Sequence, residues 1–154
     1  MVSRSAVVCI AFLAAVSATD VNQCPGRSLE NLTSNVQLSP CKKPPCKLKK
    51  GTNQNISIKF TPEADIDDVK NHVSAEVFGV PLPFVGVDGN SICDKVYTES
   101  GDKTSCPLQA GTTYIYKDSF PILSFYPTLD VKVHWALQGK EKDIVCFEVP
   151  AHIK

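Results

Sequence analysis

The segment from Phe120 to Leu137 constrains the fold of this chain more than any other stretch of its sequence. In its second half, apolar and polar side chains alternate, which is the pattern of a β-strand with one buried face. The inward row is predicted to be Val131, Val133, Trp135 and Leu137, with Lys132, His134 and Gln138 facing outward. The first half is an apolar loop that Pro121 and Pro127 make rigid, because proline fixes φ and donates no backbone hydrogen bond. A loop this apolar is expected either to be covered or to cover a cavity.

Residues 1–18 are predicted to be a signal peptide and residues 19–154 a single domain. Arg4 supplies a positive start, an apolar run extends from Ala6 to Val16, and small residues precede a cut after Ala18. The run is too short to span a membrane, and no later segment is long enough. We therefore expect the chain to enter the secretory path, with the extracellular fluid and the lysosomal lumen both open as destinations.

The cysteine pattern predicts disulfides. Of the seven cysteines only Cys9 lies in the predicted signal peptide, and an even number in a secreted chain is typical of a disulfide framework. Proximity suggests the pairs Cys41–Cys46 and Cys93–Cys106, which leaves Cys24 with Cys146 to tie the first strand to the last. A metal knuckle at Cys41 and Cys46 is disfavoured, because no second pair or histidine stands at zinc spacing.

Composition and turn signals favour an all-β fold. The chain has 11 prolines, and its β-branched residues recur in short runs without a helical period. About six or seven short strands are expected, for which a sandwich of two antiparallel sheets is the natural arrangement. The net charge is 0, or −1 once Arg4 is removed with residues 1–18, so no global field favours nucleic acid.

Two further strands are predicted upstream. In residues 55–60, Ile56, Ile58 and Phe60 should face inward, which leaves the glycosylation sequon at Asn55 accessible; a second sequon begins at Asn31. Residues 69–79 alternate again, although Asn71 falls on the apolar face without an explanation in the sequence. Pro81 and Pro83 are expected to end that strand and to present Leu82 and Phe84 on a second apolar loop.

Five lysines surround the Cys41–Cys46 loop, and we call them the basic loop: Lys42, Lys43, Lys47, Lys49 and Lys50. Such a cluster is typical of a solvated rim. The alternative is a docking patch for an anionic membrane surface, where each lysine adds about 1 kcal/mol.

Several segments together resemble the ML (lipid-recognition) family, and within it the Niemann–Pick type C, type-2 group of soluble sterol-transfer proteins. They are VQLSPC (36–41), GVPLPF (79–84), CPL (106–108), FPILSFYP (120–127), VKVHWALQ (131–138) and CFEVP (146–150). The resemblance spans nearly all of residues 19–154 in order. It implies an immunoglobulin-like sandwich whose sheets hold a lipid between them, and the same three disulfides.

The resemblance also implies the ligand site. An entrance, called the portal here, falls on Phe84, Ile122 and Tyr126. The tunnel wall falls on Leu38, Leu48, Ile56, Ile58, Val73, Val77, Leu82, Val131, Val133, Trp135, Phe147 and Val149. Taken alone, an alternating apolar face is more often ordinary core. This chain departs from the vertebrate type at Phe147, where tryptophan is usual, and in its longer, more polar Cys93–Cys106 loop.

The function implied is the binding and transfer of a sterol by a monomer, with no cofactor and no metal. The alternatives are a carrier of fatty acids or hydrophobic semiochemicals and a lipid-presenting immune recognition protein; a membrane sterol transporter is a further potential partner. Catalysis is disfavoured, because His72, His134 and His152 have no motif spacing and neither a nucleophile elbow nor a zinc-protease helix is found.

Overall fold

Two β-sheets packed face to face form the protein in a computed structural model that describes residues 19–25, 35–41, 43–140 and 142–154. The predicted signal peptide and the sequon at Asn31 lie outside these residues. The strands are β1 (Asn22–Gln23), β2 (Val36–Ser39), β3 (Cys46–Leu48), β4 (Asn53–Phe60), β5 (Lys70–Val77), β6 (Val80–Pro83), β7 (Val96–Thr98), β8 (Lys103–Thr104), β9 (Tyr114–Pro121), β10 (Leu129–Gly139) and β11 (Lys142–Ile153). Among the described residues, no helix has the length and hydropathy that a membrane span requires.

The first sheet has the strand order β1-β11-β10-β5-β6, and β3 adds to β11 in parallel. The second sheet has the order β2-β4-β9-β7-β8. All other pairings are antiparallel, so the predicted sandwich of two antiparallel sheets is confirmed, with β3 as its one parallel strand among those described. The described strands number eleven rather than six or seven, because several have only two to four residues and leave too short a pattern to detect.

The long strands have alternating buried faces. In β10 the predicted row of Val131, Val133, Trp135 and Leu137 is buried, and β11 buries a matching row of Val145, Phe147, Val149 and Ala151. Val133 pairs with Val149 and Trp135 with Phe147, so the largest side chains of the first sheet stand next to each other. In β4, Ile56, Ile58 and Phe60 face the same core from the second sheet.

The segment with two prolines was predicted wrongly. Pro81 and Pro83 lie within β6, which pairs with β5 on one side only. An edge strand tolerates proline because its outer backbone groups need no ladder partner. The β5–β6 turn uses Phe78 and Gly79, both with positive φ (51° and 80°), as a two-residue hairpin of this kind requires.

The three disulfides have the predicted pairing: Cys24–Cys146, Cys41–Cys46 and Cys93–Cys106. The first joins the segment after β1 to the middle of β11, across a sequence separation of 122 residues. The Cys41–Cys46 bridge has a sequence separation of five and ends at the first residue of β3, and the third bridge lies beside β7 and β8.

Candidate ligand cavity

An apolar cavity lies between the sheets and is lined by residues from six strands. These residues are Leu38, Cys46, Leu48, Gln54, Phe120, Val133, Trp135, Phe147, Val149 and Ala151. Its volume is about 20 Å³. Sites that hold a drug-sized ligand typically measure about 300–1,000 Å³, so the sheets stand nearly closed on each other here.

The predicted wall residues divide into three groups. Leu38, Leu48, Val133, Trp135, Phe147 and Val149 line the cavity. Ile56, Ile58, Val73 and Val131 are buried in the surrounding core, and Val77 packs against it partly buried. These nearby residues would reach a ligand only if the cavity widened.

Leu82 is not part of the wall. It lies in β6 with half of its surface exposed, next to the exposed Val80. The family resemblance placed Leu82 on the wall, but β6 is a separate edge strand whose four residues are all exposed. The prediction for Leu82 is therefore corrected.

The portal residues also differ from expectation, because two of them are buried. Phe84 is 6% exposed and Ile122 only 1%, whereas Tyr126 is partly buried. The most exposed large residue of the 122–128 loop is Phe125, at 75%. The loop covers the end of the core, and its side chains close the position where the portal was predicted.

A continuous row of aromatic rings leads from this loop into the cavity. Tyr126 packs on Phe84 with ring centres 5.8 Å apart, and Phe84 packs edge-on against Phe120 at 5.6 Å. Phe120 in turn lies 5.4 Å from Trp135, which stacks against Phe147 at 6.4 Å. The portal and the cavity are thus two ends of one packed aromatic path.

Four lining residues were missed: Cys46, Gln54, Phe120 and Ala151. Gln54 stands two residues before Ile56 and alternates inward with it, so the strand period could have found it. Phe120 was assigned to a loop, but β9 extends to Pro121 and turns its ring inward. Cys46 and Ala151 are small and adjacent across the β3–β11 pair, which sequence spacing does not reveal.

Asn71 occupies the inner end of this site and makes two buried hydrogen bonds. The Trp135 indole nitrogen donates to its side-chain oxygen over 3.0 Å, and its amide nitrogen donates to the Tyr116 hydroxyl over 2.9 Å. Because Tyr116 belongs to the second sheet, this asparagine joins the two sheets. The polar residue that the strand pattern left unexplained is therefore a bridge between the two layers.

The network continues to the surface. The Tyr116 hydroxyl donates to an Asp118 carboxylate oxygen over 2.6 Å, and the Lys95 ammonium lies 3.0 Å from the other oxygen. Burial, and then the hydrogen bond to the Asp118 carboxylate, raise the pKa of Tyr116 above its usual range. The tyrosine is thus held neutral as a donor.

Tyr126, at the other end, has a different environment. Its hydroxyl is buried without a hydrogen-bond partner in the described part of the chain. Burial also raises the pKa of this tyrosine. An unpaired hydroxyl beneath the surface costs free energy and is rare in native proteins.

The histidines do not form a reactive cluster. His134 faces outward as predicted but is partly buried against the Cys24–Cys146 disulfide, with ring nitrogens 3.6 Å and 3.5 Å from the two sulfurs. His72 is exposed, with its ring 6.1 Å from that of His134. Two groups of potential metal donors occur in the described residues, but each includes both cysteines of a disulfide, and those have no free thiolate to offer.

The basic loop borders the 122–128 loop. The Lys50 ammonium donates to the Thr128 hydroxyl over 2.7 Å, and the Ile122 and Gly51 backbones are also hydrogen-bonded. Lys43, Lys47 and Lys49 are exposed, and Lys42 lies outside the described residues. The charges therefore lie near the portal but outside the cavity.

Comparison with known proteins identifies the family. The sequence profile of the ML domain matches residues 18–153. The chain belongs to the ML domain family. The "Ecdysteroid-regulated 16 kDa protein" of Manduca sexta is 34% identical over 70% of each chain, and the "NPC intracellular cholesterol transporter 2 homolog a" of Drosophila melanogaster is 29% identical over 100% of both.

A solved structure agrees with this assignment. The Niemann-Pick type C2 protein from the Japanese carpenter ant superposes with a TM-score of 0.67 at 26% identity, covering 79% of this chain and 90% of that one. The resemblance inferred from sequence is thus confirmed. Membership in this family places the chain among lipid-binding proteins rather than enzymes, with relatives named for sterol transport.

Proposed function

We propose that this ML domain protein binds one sterol-like lipid between its sheets and transfers it between membranes or carriers. The observation that carries the proposal is the cavity itself. Nine of its ten lining residues have apolar side chains or a disulfide sulfur, and an aromatic path connects it to a rigid loop at the surface. The name of the Drosophila relative supports a sterol as the cargo.

Binding requires the sheets to separate, because the cavity of about 20 Å³ is far smaller than a sterol. Contacts across the cavity are made by apolar side chains, whereas Asn71 hydrogen-bonds the sheets together at its inner end. Separation should therefore proceed at the portal end, where side chains slide apart without breaking a hydrogen bond. Apolar ligand surface then replaces contacts between the side chains of the two sheets. Its burial contributes roughly 25 cal/mol of binding free energy per Å² removed from water, and the entropy that the ligand loses on binding offsets part of this gain.

The proposed setting is the secretory path, ending in the extracellular fluid or the lysosomal lumen. Three disulfides support an oxidising compartment. The sequon at Asn55 is exposed on β4, which supports access by the glycosylation machinery. Such a carrier would hold its lipid away from water as a monomer.

Two measurements test the function. Lipid extracted from protein secreted by a eukaryotic host is identified by mass spectrometry, and sterol binding is followed by the fluorescence of Trp135, the only tryptophan of the chain. A bound sterol and a fluorescence response are expected. If no apolar lipid co-purifies or changes the fluorescence, the carrier function is wrong; a bound fatty acid would instead identify a different cargo.

A matched pair of variants locates the site. Val133→Asp buries a carboxylate in the cavity wall, which should abolish binding and destabilise the fold. Val80→Asp makes the same change at a valine that is 55% exposed, and should leave binding intact. Equal binding by both folded variants would show that the ligand lies elsewhere.

A further inference from the structure

Gln54 is the one polar side chain among the ten described residues that line the cavity. It is 3% exposed, and the alternation of β4 turns it inward in the same row as Ile56. Its register partner on β9 is Phe120, the ring that lies between Phe84 and Trp135. Gln54 therefore stands on the cavity wall toward the portal, at the end away from Asn71.

Three polar side chains are buried among the described residues: Thr19, Gln54 and Asn71. Thr19 hydrogen-bonds the Leu38 and Cys41 backbones, and Asn71 is paired at both ends of its amide. No described residue hydrogen-bonds the Gln54 side chain. Among the described residues the Tyr126 hydroxyl is the one fully enclosed side-chain atom without a partner, so the Gln54 amide still reaches open space, which the cavity provides.

A second unpaired group lies near this end of the sandwich. The buried Tyr126 hydroxyl has no partner in the described residues, and its ring reaches Phe120 through Phe84. A cavity-facing amide and an enclosed hydroxyl beside one apolar path can each hydrogen-bond a polar group that enters from outside the chain. Neither is ionised near neutral pH, and the cavity lining has no charged residue.

We propose that Gln54 receives the single polar group of the ligand and selects a neutral hydroxyl. This rests on the proposed function and narrows its ligand to apolar alcohols. A primary amide both donates and accepts, so it satisfies both roles of a hydroxyl. An ionised carboxylate can only accept, and it would leave water for a site with no cationic partner.

The consequence is discrimination against apolar ligands that lack the hydroxyl. A site built to hydrogen-bond a ligand rejects the analogue without that group, because the buried amide then stays unpaired. Wild-type protein should bind cholesterol at least about tenfold more tightly than cholest-5-ene, which lacks only the 3-hydroxyl. Oleyl alcohol should likewise bind more tightly than oleate at neutral pH.

The test compares dissociation constants, followed by Trp135 fluorescence, for the mature secreted protein and three variants. Gln54→Leu removes the amide at nearly constant volume. Gln37→Leu makes the same change on the outer face of β2, where Gln37 borders a polar surface groove. Tyr126→Phe removes the other unpaired group. Circular dichroism checks each fold, and Gln54→Met replaces Gln54→Leu if that variant does not fold.

In Gln54→Leu the preference for cholesterol over cholest-5-ene should fall to about twofold or less, with cholest-5-ene still bound as tightly as by wild type. Gln37→Leu should behave like wild type. The proposal is overturned if Gln54→Leu keeps the wild-type preference, if Tyr126→Phe alone removes it, or if oleate matches oleyl alcohol in wild type. A wild-type protein that binds both sterols equally refutes the role of Gln54 but leaves the carrier function standing; binding to no apolar lipid refutes both.

Discussion

Trp135 and Asn71, on the neighbouring strands β10 and β5, are joined by a buried hydrogen bond of 3.0 Å from the indole nitrogen to the amide oxygen. The same amide donates to Tyr116 on the opposite sheet. One residue thus fixes the ring at the base of the cavity and ties the two sheets together beneath it. The cavity is held closed by hydrogen bonds at the Asn71 end and by apolar side-chain contacts at the portal end, so the widening required by the proposed function should begin at the portal.

Replacing Asn71 should therefore be costly. Asn71→Leu leaves the buried Trp135 nitrogen without an acceptor and removes the inter-sheet bridge, so the free energy of unfolding should fall by about 2–4 kcal/mol. Asn53→Leu, at an exposed asparagine of β4, should change it by less than about 0.5 kcal/mol. Urea unfolding of the oxidised proteins measures both. Equal stability of the two variants would mean that the bridge does not hold the sheets.

The raised pKa of Tyr116 predicts how the free energy of unfolding changes with pH in the alkaline range. Its pKa is raised in the folded state, chiefly by burial, whereas an unfolded tyrosine ionises near pH 10. Above that pH the native state binds more protons than the unfolded state, so stability falls as pH rises. The stabilisation by the neutral Tyr116 side chain is therefore complete below about pH 10 and is progressively lost above it. Tyr116→Phe should show a shallower decline in short urea-unfolding measurements between about pH 9 and 11; an unchanged slope would contradict the assignment.

The disulfides should contribute unequally to stability. Cys24–Cys146 closes a loop with a separation of 122 residues and Cys41–Cys46 one of five, and the entropy removed from the unfolded chain grows with loop length. Replacing both cysteines of the long bridge by alanine should cost about 4–5 kcal/mol, and the short bridge about 2 kcal/mol. Thermal and urea unfolding would measure the difference. Equal losses would show that local packing, rather than chain entropy, dominates.

Strand alternation and cysteine spacing predicted much of this structure. The buried rows of β10 and β11 and the inward face of β4 follow from period-two patterns over eight or more residues. Such long patterns are reliable because a shift of one residue would expose the entire row.

The unpredicted features all depend on partners distant in sequence. Nothing near Asn71 in the chain indicates that Trp135 and Tyr116 complete its hydrogen bonds, 64 and 45 residues away. The burial of Phe84 depends likewise on Phe120 and Tyr126 from another segment. Leu82 was misplaced because the neighbours of an edge strand are set by the sheet, which a local pattern does not specify.

The sequon at Asn55 yields a prediction about modification. Asn55 is exposed on β4, between the buried Gln54 and Ile56. In a eukaryotic secretory host it should carry an N-glycan, detected as a mass lost on treatment with an amidase that removes such glycans. Because a second sequon begins at Asn31, Asn55→Gln should reduce that mass difference by one glycan, and Asn53→Gln should leave it unchanged. Absence of a glycan on the secreted wild-type protein would refute the prediction at this site.

Phe84 and Phe125 lie near the same entrance but should respond oppositely to truncation. Phe84 is 6% exposed and contacts two other rings, so Phe84→Ala leaves a void in the core and should lower the free energy of unfolding by about 3–5 kcal/mol. Phe125 is 75% exposed, and Phe125→Ala should change stability by less than about 0.5 kcal/mol. Urea unfolding in the absence of lipid separates the two effects. If Phe84→Ala unfolds at the same urea concentration as the wild-type protein, Phe84 lies at the surface in solution and the predicted entrance is open without a ligand. If Phe125→Ala is instead the less stable variant, the 122–128 loop packs on the domain through Phe125.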